Sequence, residues 1–182
     1  MAEEVHIEDF IKTEKQKAFD HDFFKGAESY EKWEDVDMDA MYDGRKTFEV
    51  KVEDIRAFSE GILDDNPLFN DEAAAKDGPF GGLIAHPIFI TPIAFWLTEE
   101  GPGNWIRTPG AINPGQIIEY YEQIRPGDVI HGKTGFYDKW LKRGKRYLTY
   151  VTEYYRQDDV MVAKGWGTLI LPTSTGEDTH KF

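Results

Sequence analysis

"PFGGLIAHPIFITPIAFWLTEEG", residues 79–101, is the most apolar stretch of the chain and has glycine near both ends. Its two prolines limit how it can fold. Pro87 and Pro92 cannot both lie deep in a helix, because each lacks an amide hydrogen and its ring clashes with the preceding turn. Either a helix begins near Pro87 with Pro92 still in its early turns, or Thr91 caps a helix that has Pro92 in first position. In both cases the segment up to Leu97 is expected to be a buried helix. After it, Gly101, Pro102, Gly103, Pro109, Gly110, Pro114 and Gly115 predict an irregular connection to about residue 115.

Downstream the pattern changes to strands: "QIIEYYEQI" (116–124), "DVIHGKTGFYDKWL" (128–141), "RYLTYVTEYYRQ" (146–157) and "VMVAKGWGTLIL" (160–171). Arg-Pro-Gly-Asp, Lys-Arg-Gly-Lys and Gln-Asp-Asp form the turns between them. Long strands joined by short turns imply an antiparallel sheet, and one apolar helix is available to cover it. The fold class is α+β, with a sheet wrapped around a buried central helix.

Upstream, "RKTFEVKV" (45–52) alternates and predicts a strand, and "EDIRAFSEGIL" (53–63) spaces Ile55, Phe58 and Ile62 for a short amphipathic helix. The loop "LDDNPLFND" (63–71) follows, and "NDEAAAK" (70–76) reads as a helical turn capped by Asn70 or Asp71. Residues 1–33 form a charged arm carrying Phe10, Phe19, Phe23, Phe24, Tyr30 and Trp33, too aromatic for a simple disordered tail, so it is expected to pack on something. Residues 34–171 make the domain, and 172–182 a loose tail.

Composition narrows the function. The 182 residues suit one domain, and no apolar run approaches the roughly 20 residues of a membrane helix. The N-terminus lacks the basic-then-apolar layout of a secretory signal, so the cytoplasm is the expected location. The absence of cysteine excludes disulfides, thiolate nucleophiles and Cys-ligated metals. A net charge of −13 argues against nucleic acid and anionic membranes as partners. His6, His21, His131 and His180 have no partners at metal-ligand spacing, so no metal site is expected.

The order of these motifs, from about residue 34 to 171, resembles the MaoC-like hydratase and dehydratase family of the hot-dog fold: strand, short helix, D-D-N-P-L-F, capped DEAAAK, GGLIAHP, buried helix, PGQIIEYYEQIRPGD and three long strands. The resemblance implies a hot-dog domain assembled at least as a dimer, with itself or with another hot-dog subunit. It also implies an acyl thioester of coenzyme A or acyl carrier protein as ligand. Family members add water across a 2-enoyl thioester or remove it from a 3-hydroxyacyl thioester. No separate cofactor is implied, since coenzyme A enters as part of the substrate.

Such chemistry needs a base for water, a proton for the alpha carbon and donors for the thioester oxygen. Active members resemble D-x-N-P-x-H in the loop, which places the Asp at Asp64 and the Asn-Pro at Asn66 and Pro67. The histidine position holds Phe69. Where active members resemble H-G-M, this chain has His86, Pro87 and Ile88, and proline has no amide to offer. Both departures resemble the degenerate halves of double hot-dog enzymes and the stand-alone subunits that pair with an active partner.

Asp64 and His86 are therefore the catalytic candidates. His86 reads either as a structural residue or as a replacement for the missing histidine that pairs with Asp64, and the sequence leaves this open. Asp65 reads more as a turn former. Asn66, Phe69, Phe80, Ile88 and Phe89 are expected to shape the substrate site, with Phe95 and Trp96 suiting either an apolar tunnel or, preferably, the core. In "KWLKRGKR" (139–146), Lys142 and Arg143 read as a solvated hairpin turn or as a phosphate patch for the nucleotide of coenzyme A. Three functions follow from the resemblance: a hydratase or dehydratase, active alone or with a partner; a non-catalytic acyl-CoA-binding subunit; and a hot-dog thioesterase.

Overall fold

The computed structural model describes residues 6–19, 33–97 and 110–171. The arm contributes a 3-10 turn at Ile7–Phe10 and a one-turn helix α1 at Glu14–Ala18, which Thr13 and Gln16 close with a reciprocal capping box. A 3-10 turn at Trp33–Asp35 leads to β1 (Met41–Asp43) and β2 (Phe48–Glu49). Helices α2 (Val52–Gly61), α3 (Pro67–Asn70) and α4 (Glu72–Lys76) follow. A 3-10 turn at Pro87–Phe89 runs straight into α5 (Ile90–Leu97). The chain then makes β3 (Ile112–Tyr120), β4 (Val129–Lys142), β5 (Lys145–Tyr155) and β6 (Met161–Leu171).

The sheet is antiparallel in the order β1-β4-β5-β6-β3, with β2 also pairing to β4. Arg143 and Gly144 both take positive φ (52° and 74°) in the β4–β5 turn. A two-residue turn with both φ values positive follows the strand twist and fixes this hairpin's register. On α5, Ile90, Ile93 and Leu97 are buried, and they join Phe48, Val50, Ile55, Ile130, Tyr154 and Val162 in the main core. At eight residues, α5 is too short to cover the whole sheet. A second cluster of Val36, Phe136, Leu148, Leu169 and Leu171 lies toward the other end, covered by Trp33, Met38 and Tyr42. Trp33 is held there by its indole N–H, which donates to the Tyr147 carbonyl at 2.9 Å. This is the α+β hot-dog arrangement, a sheet curled around one helix.

Several local expectations need correction. The strand expected at 45–52 is reduced to Phe48–Glu49, and β1 forms earlier, where Met41 and the Ala40 carbonyl lie against Gly135. β3 begins at Ile112 and ends at Tyr120, so it takes in Pro114 and Gly115 instead of starting after them. An edge strand tolerates a proline, and the register shifts between Ile112 and Gly115 to absorb it. His86, not Thr91, caps the helical segment, and Pro92 is the third residue of α5, where its missing amide breaks no helical bond. Asp71 alone caps α4, accepting from the Ala73 and Ala74 amides. Phe95 and Trp96 are only partly buried: both border the arm, Phe95 also borders residues of β3, β5 and β6, and Trp96 packs on Phe48 with its indole N–H donating to the Thr47 carbonyl. Phe23, Phe24, Tyr30 and the tail at 172–182 lie outside the described residues.

Candidate active site

The loop after α2 is set by a residue in an unfavourable conformation. Leu63 has φ of 59°, its amide donates to the Glu60 carbonyl, and the Asp64 amide reaches back to Ser59 at 2.9 Å. This pair of bonds is the Schellman ending of a helix, whose left-handed position is normally glycine. A leucine there costs about 1–2 kcal/mol. The turn reverses the chain at Asp64.

Side chains of the loop then hold it. One Asp64 oxygen, Oδ1, accepts from the Asn66 amide at 3.0 Å, and Asn66 Oδ1 accepts from the Leu68 amide at 3.0 Å to cap α3. Pro67 opens that helix, where its missing amide has no consequence. The Asn70 side-chain amide donates to the carbonyls of Asp64 (2.8 Å) and Asn66 (3.2 Å). Asn66 and Asn70 thus act on Asp64 through the backbone, and Asp64 Oδ2 is left facing outward from the loop.

What it faces is His86. The imidazole Nε2 lies 3.6 Å from Asp64 Oδ2, with the two side chains 20% and 26% exposed. The His86 Nδ1 accepts from the Ile88 amide at 3.1 Å, as the cap of the 3-10 turn. An accepting Nδ1 carries a lone pair, so in the neutral ring the proton sits on Nε2, toward the carboxylate. The separation exceeds a direct hydrogen bond. An oxygen placed between the two groups would be in reach of both.

Aromatic rings fix the imidazole. Phe69, 7% exposed, packs edge-on to it with ring centres 5.1 Å apart, and Phe58 lies 6.1 Å away on another side. Phe69 therefore touches His86 from the loop position at which the sequence resemblance leads us to expect a histidine.

The start of the helical segment offers no free amide. Pro87 has none, Ile88 donates to His86 Nδ1, Phe89 donates to the His86 carbonyl, and Ile90 donates to the carbonyls of Pro87 and Ile88. The Pro87 carbonyl also accepts from the Tyr120 hydroxyl. Burial pushes the Tyr120 phenol up to about 12, so it remains a protonated donor at neutral pH. Tyr120 is a neighbour of the site that the sequence reading missed. Its only signal there is one tyrosine among several on alternating strand positions.

The remaining candidates are spread out. Phe89 is 2% exposed and makes edge contacts with Phe48 and Phe58, which places it in the core behind His86. Ile88 is exposed beside the site, and Phe80 is partly exposed, with its carbonyl accepting from Arg125 at 2.9 Å. Lys142 and Arg143 form the tip of the β4–β5 hairpin. Tyr120 is in register with Ala163, Ala163 with Tyr154, and Tyr154 with Gly132. The hairpin tip is ten strand positions beyond Gly132, roughly 30 Å along the sheet. Within one chain, the structure does not bring the basic turn to the Asp64–His86 pair.

Comparison with known proteins agrees with this architecture. Residues 39–173 match the family described as "FAS1-like, dehydratase domain region". A UPF0336 protein of Thermobifida fusca is 32% identical over 119 residues, covering 62% of this chain and 76% of that protein. Among solved structures, the MaoC-like dehydratase from Rhodospirillum rubrum superimposes with a TM-score of 0.65 at 23% identity, covering 76% of this chain and 94% of that one. The HadBC complex of Mycobacterium tuberculosis, a 3R-hydroxyacyl-ACP dehydratase, does so with a TM-score of 0.65 at 20% identity, covering 74% of this chain and 98% of that one. These structural likenesses show a shared hot-dog fold. The extent of the family match makes the chain a member of the FAS1-like dehydratase-region family of MaoC-like hot-dog domains.

Proposed function

We propose that this chain is a hydro-lyase subunit acting on acyl-CoA thioesters, adding water across a 2-enoyl group or removing it from a 3-hydroxyacyl group. One observation carries the reading: Asp64 and His86, from separate segments, meet at 3.6 Å in a partly open site. The Asp64 carboxylate takes a proton from water while the water oxygen bonds to C3. The electron pair of the double bond moves onto the thioester as an enolate. The proton held by Asp64 then passes to C2, so that water is consumed and Asp64 is restored. His86 keeps its Nε2 proton throughout and uses it to orient the carboxylate and the water.

A second reading is favoured by a specific observation. Phe69 replaces one polar group, and every amide at the helix start is already engaged. The donors for the thioester oxygen then have to come from a second hot-dog subunit. β3 is the edge for such pairing, since its side chains are exposed along nearly all of its length and β6 occupies only one of its sides. In this reading the chain binds the acyl group while the partner supplies part of the chemistry, as a homodimer or a heterodimer.

The products separate these readings. The chain is incubated with 2-enoyl-CoA thioesters, and conjugated-thioester absorbance is followed in parallel with free thiol. Loss of absorbance without thiol is the expected result. Thiol release would replace the reading with a thioesterase, and a folded, binding but inactive chain would make it the non-catalytic subunit.

A further inference from the structure

The hydrogen bonds that fix His86 run through a single peptide unit, the one between Pro87 and Ile88. Its N–H end belongs to Ile88 and donates to His86 Nδ1 at 3.1 Å. Its C=O end belongs to Pro87 and accepts from the Tyr120 hydroxyl and from the Ile90 amide. A carbonyl oxygen can only accept, so the Tyr120 proton is committed to this bond. The peptide unit is planar and trans, so its two ends point in opposite directions and cannot turn independently. Whatever holds the carbonyl therefore aims the amide at the imidazole.

Pro87 leaves that plane little freedom. Its ring fixes φ, and rotation about ψ is the main motion by which the plane could swing away from His86. The Ile90 bond comes from the same short segment and moves with it. Tyr120, by contrast, stands at the end of β3, 33 positions away, and ties the plane to the sheet. A carbonyl that accepts two bonds is also more polarised, which makes the amide at the other end of the unit a better donor. His86 Nδ1 then stays the lone-pair nitrogen, and Nε2 carries its proton 3.6 Å from Asp64 Oδ2. Burial pushes the Tyr120 phenol up to about 12, so this bond persists into alkaline solution.

We infer that Tyr120 is a positioning residue, which acts through the Pro87–Ile88 peptide unit to hold the His86 ring with its Nε2 proton toward Asp64. It takes no direct part in the reaction. The inference rests on the hydration reading above only for its effect on rate. Tyr121, next along the chain, supplies a control, because its hydroxyl donates to Glu119 Oε2 at 2.8 Å and not to the helical segment.

The test compares Tyr120→Phe, which removes only the hydroxyl, with Tyr121→Phe in the full chain. Ring-nitrogen NMR of His86 and hydrogen exchange at the Ile88 amide are recorded at about pH 8.5, above the ordinary histidine range. In the wild type, Nδ1 should show the resonance of a hydrogen-bonded lone-pair nitrogen and Nε2 that of a protonated one. In Tyr120→Phe, Ile88 exchange should rise about three- to tenfold, and the Nδ1 resonance should move toward its unbonded position. In the active assembly, kcat for 2-enoyl-CoA hydration should fall by a similar factor with KM unchanged, because the ring acts on the water and not on the carrier. Tyr121→Phe should change none of these. A wild-type ring protonated at Nδ1, or Ile88 exchange and an Nδ1 resonance unchanged in Tyr120→Phe, would overturn the assignment whatever the activity. If both move and kcat does not, Tyr120 still holds the ring, and the part given to His86 in hydration is what fails.

Discussion

Two histidine–aspartate pairs in this molecule have the same separation, 3.6 Å, and very different surroundings. His86 is wedged against Phe69 and Phe58, its Nδ1 is committed to a backbone amide, and Asp64 is tied to the Asn66 amide. His131 lies on a strand with one face stacked on Tyr155, and Asp159 is 91% exposed in the β5–β6 turn. Even the backbones correspond, since Leu63 and Asp159 both take a left-handed conformation, φ of 59° and 60°. Aspartate adopts that conformation readily and leucine does not. Distance alone therefore does not make a site. At Asp64 and His86 the orientation of each group is fixed by bonds to the backbone and by rings, and strain is accepted to place the loop. At His131 and Asp159 water is free to solvate both partners, and such surface pairs contribute about 0–1 kcal/mol.

This difference can be broken experimentally. Phe69→Ala should remove a buried ring and lower stability by about 3–5 kcal/mol, read as a fall in the denaturant midpoint. Tyr155→Ala, beside the exposed pair, should cost less than about 1.5 kcal/mol. Equal losses would mean that the ring on His86 is no more structural than the one on His131. Asn70→Ala removes two hydrogen bonds to the loop carbonyls and should cost about 1–2 kcal/mol. It should also lower kcat for hydration with little change in KM. An unchanged kcat would show that Asp64 keeps its place without them. Leu63→Gly should raise stability by up to about 1 kcal/mol, and Asp159→Gly should leave it level or slightly lower. Thermal unfolding of the two variants in parallel decides this, and a loss of stability at Leu63→Gly would contradict the strain argument.

The sequence was most legible where a pattern is local. The alternation in β4, β5 and β6 and the apolar run ending at Leu97 each report burial along one element, so the sheet and its helix could be anticipated. The capping Asp71 and the D-D-N-P turn were visible because short polar side chains bond to amides two or three residues away. Pairings across the chain were not legible. Whether His86 meets Asp64 depends on the Schellman turn at Leu63, and nothing in a leucine signals a left-handed residue. Tyr120 reaches the Pro87 carbonyl only because β3 passes the helix start, and although a strand was expected from residue 116, its true start at Ile112 was hidden by Pro114 and Gly115. The Lys15–Asp54 pair spans 39 positions, so the docking of the arm on α2 had no local trace.

The central claim is that the Asp64–His86 pair does chemistry that the His131–Asp159 pair does not. The most direct measurement is kcat/KM for hydration of a 2-enoyl-CoA by the wild-type chain, Asp64→Asn and Asp159→Asn, in the same assembly and at the same pH. Loss of the base should lower the Asp64→Asn value by about 10²–10⁴-fold, while acyl-CoA binding persists and Asp159→Asn stays within about twofold of wild type. Near-normal turnover by Asp64→Asn would contradict the account and remove Asp64 from the site.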